Sequence, residues 1–169
     1  MSPIQTSRLL LREAVAADAP FIHTLLNSPG WLEHIGDRGI HGLPEAEAYI
    51  SSLAAAHKKQ GFGLWLICFR ESGEPAGLCG LLQRDYLEHP DLGFAVHPAY
   101  SRQGITREAS LACVDFAWDK LAAPRLFAIT SPKNKASQAL LESIGFRFQS
   151  MVRPPGTADE VCCYAMGRP

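Results

Sequence analysis

The sequence predicts a mixed α/β fold in which helices cover both faces of a mostly antiparallel sheet. Several apolar strand segments are joined by short turns, and this favours antiparallel pairing. Two further strands, Leu92–Val96 and Leu126–Thr130, are each followed by a polar loop and a helix. A chain of 169 residues can form one domain with a full hydrophobic core, so we assign residues 1–169 to a single domain.

The N-terminal quarter of the sequence predicts a strand, a helix and a loop. Arg8–Glu13 is typical of a strand. Asp18 can cap a helix that carries Pro20 in its first turn, and residues 28–30, Ser-Pro-Gly, end that helix. The segment Trp31–Leu43 is rich in Gly and His and is predicted to be a loop.

A second helix and a hairpin follow. Pro44 begins a helix that Gly61 ends. Leu64–Phe69 is an apolar strand, and the turn Glu71–Glu74 leads into its partner, Ala76–Arg84.

The C-terminal half predicts two helices among its strands. The helix that begins near Ile105 has two apolar stripes, so we expect it to be covered on both sides and to lie across the sheet. The helix from Asn134 ends at Gly145, where Phe146 can close a Schellman-type cap. The last two predicted strands are Phe146–Ser150 and Glu160–Met166.

The segment Asp91–Ala109 carries the clearest functional signal. A strand is stopped by Pro98, and a polar turn, residues 101–104, then leads directly into a helix. The first N–H groups of a helix have no partner within it, and together with the helix dipole they form an anion site suited to a phosphate or pyrophosphate. Arg102 and Arg107 flank this turn. The alternative is an ordinary strand–turn–helix connection with solvated arginines.

A second segment, Pro124–Phe148, changes that balance. Together the two segments resemble the GNAT superfamily of acyl-CoA-dependent N-acyltransferases, and in particular the branch that includes the ribosomal-protein alanine N-acetyltransferases. The residues on the branch's first pattern are Asp91, Gly93, Phe94, Pro98, Tyr100, Gly104, Glu108 and Ala109. Those on its second pattern are Asn134, Ser137, Leu141, Glu142, Gly145 and Phe146. The opening residues Thr6–Glu13 also resemble the family's first strand.

The resemblance implies that Leu92–Val96 and Leu126–Thr130 are neighbouring parallel strands that splay apart around the thioester of acetyl-CoA. The residues that it places at the cofactor are Phe94, Ala95, Val96, Arg102, Gln103, Gly104, Ile105, Thr106, Asn134 and Ser137. Two of them depart from the branch's pattern. Arg102 stands where glycine is usual, and Thr106 stands where Gly or Ala is usual, at a close approach of the backbone to pyrophosphate.

Transfer of an acetyl group from a thioester to an amine requires a polarised carbonyl, a neutral amine and a proton for the departing thiolate. The resemblance implies a backbone donor near Val96, with Phe94 and Ala95 along the pantetheine arm. It makes the Ser137 hydroxyl the proton donor, although this residue can also be a small polar residue in a first helical turn. Asn134 is expected at the pantetheine amides, and Asn is also a favoured N-cap residue.

The base that deprotonates the amine has several candidates. Asp91 lies where many relatives carry a carboxylate, but most surface carboxylates have no catalytic role, and the residue can be a solvated turn carboxylate beside Pro90. Glu88, His89 and His34 are rivals. No base is required if the acceptor is an α-amine, whose pKa is only about 8.

Composition excludes several classes of protein. The net charge of −1 and the lack of a basic run argue against nucleic acid as a partner, and no apolar stretch is long enough to span a bilayer. The five cysteines lack disulfide or zinc-clip spacing, so we expect a cytoplasmic protein, and the histidines show no metal-ligand spacing, so we expect no metal.

We therefore predict an N-acetyltransferase whose partners are acetyl-CoA and a primary amine, either a protein N-terminus or a small molecule. A non-catalytic acyl-CoA-binding module of the same fold and an unrelated α/β domain are the alternatives. Lys133 and Lys135 are candidates for the cofactor's remote phosphate, and the loop Trp31–His41 for a cover over the acceptor. The sequence leaves open whether the chain forms a homodimer.

Overall fold

A computed structural model describes residues 3–169 of the chain, and its eight strands form one sheet in the order β1-β2-β3-β4-β5-β6-β8-β7. The strands are β1 (Ile4–Gln5), β2 (Leu9–Arg12), β3 (Leu64–Phe69), β4 (Pro75–Leu82), β5 (Asp91–Val96), β6 (Arg125–Thr130), β7 (Arg147–Val152) and β8 (Val161–Gly167). The α-helices are α1 (Ala19–Leu26), α2 (Pro29–His34), α3 (Leu43–Gln60), α4 (Ile105–Asp119) and α5 (Lys135–Ser143).

The centre of the sheet is split, and this confirms the predicted fold. All strand pairs are antiparallel except β5 and β6, which are parallel neighbours. Asp91 opposite Phe127 is the one registered residue pair between them within residues 3–169. Beyond that pair the two strands part, whereas β5 stays paired with β4 along its whole length. A cleft therefore opens from Asp91 toward Val96.

The hydrophobic core is continuous on one face of the sheet and divided on the other. Under α4 and α5, one cluster reaches across the split, from Trp65 on β3 to Phe146 after α5. On the opposite face, one cluster packs α1–α3 on residues such as Leu66, and a separate one joins Leu87 to Phe127. On this second face, the core is therefore interrupted at the cleft between β5 and β6.

The segment before the second long helix differs from its prediction. Residues 29–34 are helical, because Pro29 at the first helical position suits a helix start, and the loop shortens to residues 35–42. The predicted cap by Asp18 is also wrong. Its carboxylate accepts hydrogen bonds from the Arg12 guanidinium (2.8 and 2.9 Å) and the Val15 N–H (2.8 Å), so it does not cap α1.

The two C-terminal helices show one confirmed prediction and one correction. After α5, the Phe146 N–H donates to the Leu141 carbonyl (3.0 Å) and Gly145 has φ +109°, which is the predicted Schellman-type end. The second apolar stripe of α4 is covered only in part, not fully as predicted, because Val114 and Trp118 are buried but two other members are not. Leu111 and Leu121 are half-buried and line a groove of about 1050 Å³ beside the N-terminal residues 3–8.

Candidate active site

The turn between β5 and α4 presents a run of free amides. From Arg102 to Arg107, no backbone N–H group has an acceptor within residues 3–169. Glu108 is the first residue whose N–H enters the helix, with the Gly104 carbonyl as acceptor (3.0 Å). Six donors at the positive end of a helix dipole can hold a diphosphate.

The two departures from the family pattern have structural consequences. Arg102 adopts φ +60°, a left-handed conformation that costs an L-residue about 1 kcal/mol and that glycine, the residue of the family pattern, adopts without this cost. Gly104 adopts φ +74° at the cap of α4. Thr106 is half-buried in the first turn, and its hydroxyl has no hydrogen-bond partner in the part of the chain that the structure describes. That hydroxyl is available as a further donor.

The cleft edge of β5 offers two more amides. The His97 N–H donates to the Ala76 carbonyl on β4 at 2.8 Å. Because successive N–H groups of a strand point to opposite edges, those of Phe94 and Val96 point into the cleft. Ala95 turns its own N–H to β4, so it can line the pantetheine arm only through its side chain.

The two candidate helix starts lie at the same edge of the sheet, because β5 and β6 run parallel and each leads into one of them. At the start of α5, the Asn134 Oδ1 accepts the Ser137 N–H at 3.1 Å, which confirms the N-cap. The Asn134 amide nitrogen remains available to a ligand. The Ser137 hydroxyl is half-buried and has no partner among the described residues. Lys133 and Lys135 are exposed.

Asp91 lies at the closed end of the cleft and is buried. Its side chain is 1% exposed, and the Arg84 Nε donates to its two oxygens at 3.0 and 3.1 Å. Burial raises the pKa of Asp91 to about 6, against the opposing charge and hydrogen bonds of Arg84. The interpretation of Asp91 as a solvated turn residue is therefore wrong. A carboxyl with this pKa is ionised at neutral pH and can accept a proton.

The rival bases occupy different places. The His89 ring lies 5.8 Å from the Phe127 ring, so it borders the closed end of the cleft. His34 ends α2, with its Nε2 3.7 Å from a Glu33 carboxylate oxygen. Glu88 is exposed.

The predicted oxyanion donor and the predicted base are far apart. Asp91 and Val96 are five residue steps apart on an extended strand, a distance of about 16 Å. One acetyl group cannot contact both residues. Phe94 offers the first cleft-facing amide beyond the closed end, about 10 Å from Asp91.

Sequence reasoning missed two groups of residues around this site. Arg84 was assigned only to a strand, and its partner Asp91 lies seven residues away across a loop. Glu108 binds Thr6, Ser7 and Arg8, about a hundred positions earlier in the chain. Both Glu108 and the N-terminal segment fall on the family pattern, but no local pattern shows that they meet.

Comparison with known proteins decides the family. The acetyltransferase (GNAT) domain profile matches residues 8–147. The chain belongs to the GNAT acetyltransferase family. It is 25% identical to the uncharacterized N-acetyltransferase YoaA of Bacillus subtilis (strain 168), over all of this chain and 99% of that one.

Two solved structures extend the similarity. An acetyltransferase from Agrobacterium tumefaciens str. C58 is 27% identical and covers 99% of this chain and 95% of its own, with a TM-score of 0.85. RimL, a ribosomal L7/L12 alpha-N-protein acetyltransferase in complex with coenzyme A, shares the fold at 19% identity, covers 98% of each chain and has a TM-score of 0.82. This GNAT protein is thus an acyl-CoA-dependent N-acetyltransferase with ribosomal-protein acetyltransferases among its structural neighbours.

Two further properties of the described residues bear on function. No helix within residues 3–169 is long and apolar enough to cross a membrane. In the same range, no group of three or more His, Cys, Asp or Glu is placed to hold a metal ion.

Proposed function

We propose that this GNAT protein transfers the acetyl group of acetyl-CoA to a primary amine, a protein N-terminus or a small molecule, by direct attack in a ternary complex. The observation that carries this proposal is the parting of β5 and β6 beside six free amides at the start of α4. The residues fit the cofactor: a diphosphate needs convergent donors, and an extended thioester arm needs a slot with backbone donors.

The diphosphate binds at the turn between β5 and α4. Amides from Arg102 to Thr106, including those of Gln103, Gly104 and Ile105, supply the donors. The exposed guanidinium groups of Arg102 and Arg107 add charge at its rim. On the α5 side, the Asn134 amide nitrogen donates to the pantetheine arm while its oxygen caps the helix.

The acetyl carbonyl is polarised by an amide of β5. Of the two cleft-facing groups, the Phe94 N–H is closer to Asp91. An acetyl carbonyl that is polarised by this N–H therefore lies nearer to the proposed base than one bound at Val96. The Val96 N–H then binds further along the arm, toward the diphosphate. This order follows from the direction of β5, which runs from the closed end of the cleft toward the turn.

Proton transfer uses one residue on each side of the cleft. Asp91 receives the amine's proton through at least one water, because the strand distance forbids direct contact. The Ser137 hydroxyl donates its proton to the departing thiolate as the C–S bond breaks and takes a proton back from water, while Asp91 releases the amine's proton to solvent through its bridging water. Neither step requires a metal.

Release of free CoA thiol in the presence of an amine panel is the direct test. The panel contains peptides with free N-termini, a polyamine and an aminoglycoside. We expect thiol release with at least one class, and no release across the whole panel would overturn the proposal.

Ser137→Ala should lower kcat by about tenfold or more, because the thiolate loses its proton donor. Ser143→Ala is the matched control on the same helix, since Ser143 is exposed and its hydroxyl only bonds the Leu140 carbonyl.

A non-catalytic acyl-CoA-binding module is kept only as an outcome of the same test, because the family comparison supports an enzyme. The left-handed Arg102 and the side chain of Thr106 favour it, since both occupy positions that relatives keep small. It predicts that CoA raises the melting temperature while no amine releases thiol. Ser137→Ala would then leave CoA affinity and every measured rate unchanged.

A further inference from the structure

The diphosphate turn is tied to the N-terminus of the chain through one carboxylate. Glu108, in the first turn of α4, accepts four hydrogen bonds from residues about a hundred positions earlier. They come from the Thr6 hydroxyl (2.5 Å), the Arg8 guanidinium Nε (2.7 Å), the Arg8 backbone N–H (3.0 Å) and the Ser7 hydroxyl (3.1 Å). The Glu108 side chain is 18% exposed.

Arg8 also forms a hydrogen bond with the turn itself. While its Nε binds Glu108, its Nη1 donates to the Gln103 carbonyl at 2.9 Å. Its Nη2 lies 3.3 Å from the position that a Cβ on Gly104 would take. The guanidinium therefore fixes the carbonyl direction at Gln103, and hence the direction of the Gly104 N–H in the same peptide plane.

We propose that Arg8 and Glu108 are positioning residues for the acyl-CoA diphosphate, which hold the amides of the turn between β5 and α4 in their binding arrangement. The inference rests on the proposed binding of the diphosphate at this turn. Neither residue contacts the cofactor in this proposal: Glu108 orients Arg8, and Arg8 orients Gln103 and Gly104.

The placement of the charges on Arg8 and Glu108 at the start of α4 supports this positioning role. A carboxylate in the first turn of a helix is favoured by the helix dipole, whereas a guanidinium at the same end is disfavoured unless an anion compensates it. Arg8 is placed at that unfavourable end with Glu108 as its compensating partner. Three of the four donors bind Glu108 Oε1 and the Arg8 Nε binds Oε2, so the carboxylate is held by the N-terminal segment and accepts no amide of the turn among the described residues.

The second arginine near the same segment provides a matched control. The Arg70 Nη1 donates to the carbonyls of Thr6 (2.8 Å) and Ser7 (3.5 Å), so it holds the N-terminal segment from another side. It has no hydrogen bond to the diphosphate turn among the described residues. A variant of Arg70 therefore weakens the attachment of the N-terminal segment but leaves the hydrogen bond between Arg8 and Gln103 in place. It tests whether a general change in this segment affects CoA binding.

Affinity for CoA, measured by titration calorimetry with wild type, Arg8→Lys, Glu108→Gln and Arg70→Lys, tests the inference. Lysine keeps the charge of Arg8 but cannot reach Glu108 and the Gln103 carbonyl together. We expect Arg8→Lys and Glu108→Gln each to raise the Kd by roughly tenfold, the value of one lost charged hydrogen bond. Arg70→Lys should stay within about twofold of wild type. With an active acceptor, the KM for acetyl-CoA should rise in parallel and the KM for the acceptor should not.

Two results would overturn the inference. One is an unchanged Kd in both Arg8→Lys and Glu108→Gln. The other is an equal loss of affinity in Arg70→Lys, which would show a general effect of the N-terminal segment. Absence of CoA binding by the wild type is a separate result, because it would refute the proposed diphosphate site itself.

Discussion

Asp91 shows how burial assigns a chemical role to a side chain. The same residue in solvent would be an ordinary carboxylate, fully ionised well below neutral pH. At the closed end of the cleft, loss of solvent raises its pKa to about 6, and Arg84 keeps it from rising further. The sequence identified this position but not its environment, because Arg84 reaches it across the loop between β4 and β5.

Asp91→Asn should remove one protonation step from the pH dependence of kcat/KM. A base works only when deprotonated, so wild-type kcat/KM for the acceptor should fall as the pH drops below about 6. In the variant, that limb should disappear and kcat should drop by about a hundredfold. The measurement is a pH profile between 5 and 9 for both proteins. An unchanged pH profile would show that Asp91 does not deprotonate the amine and that the acceptor enters the site already neutral.

At the scale of elements, the cleft depends on how closely β4 and β5 approach. A Cβ on Gly77 of β4 would lie 2.3 Å from the Ala95 carbonyl oxygen and 2.9 Å from the Val96 Cα. Only glycine permits this approach, which holds the end of β5 against β4. The same contact fixes the position of the end of β5 relative to β4, on the side away from β6.

Gly77→Ala should therefore impair both stability and binding. The methyl group meets backbone, so β5 must shift toward β6, at a cost on the order of 1–3 kcal/mol. Urea unfolding and CoA titration measure the two effects. Gly167→Ala, in β8, is the control, because a Cβ there meets nothing within 4 Å. Equal behaviour of the two variants would contradict the role given to Gly77.

The predictions made from sequence were correct where the signals are local, and some were wrong where tertiary contacts or neighbouring helices decide the structure. The strand–turn–helix units around residues 91–109 and 124–148 were correct because their signals are local: a Pro stop, a polar turn and a helix cap. Helix α2 was missed because Ser-Pro-Gly ends one helix and also begins the next. The Asp18 cap was wrong because Arg12 competes for its oxygens, and this tertiary contact leaves no local pattern.

Across the whole molecule, two carboxyl groups act on stability in opposite directions. Burial alone would raise the pKa of Glu108, but the hydrogen bonds from Thr6, Arg8 and Ser7 outweigh it and lower that pKa to about 2. Glu108 thus stabilises the fold above its ordinary pKa of about 4.5, and this contribution is lost as the pH falls toward 2. Asp91 behaves oppositely: its raised pKa favours folding increasingly as the pH falls from about 6 to 3.8.

A comparison of wild type with Glu108→Gln isolates the first effect. The difference in unfolding free energy should be greatest near pH 7 and should shrink between pH 4.5 and pH 2, because both proteins then lack the charge. Urea titrations at pH 7, 5 and 3 measure it. Glu71→Gln, an exposed carboxylate in a hairpin turn, is the control and should differ little from wild type at any pH. A difference that grows on acidification would contradict the assignment.

Within residues 3–169, one residue pair joins β5 to β6, so the sheet consists of two halves that share a core on only one face. In the proposed complex, the pantetheine arm bonds to amides of β5 on one half and to the Asn134 side chain on the other, and so links the sheet where the chain itself does not. Binding of acetyl-CoA should then strengthen the connection between the halves, and release of CoA should weaken it.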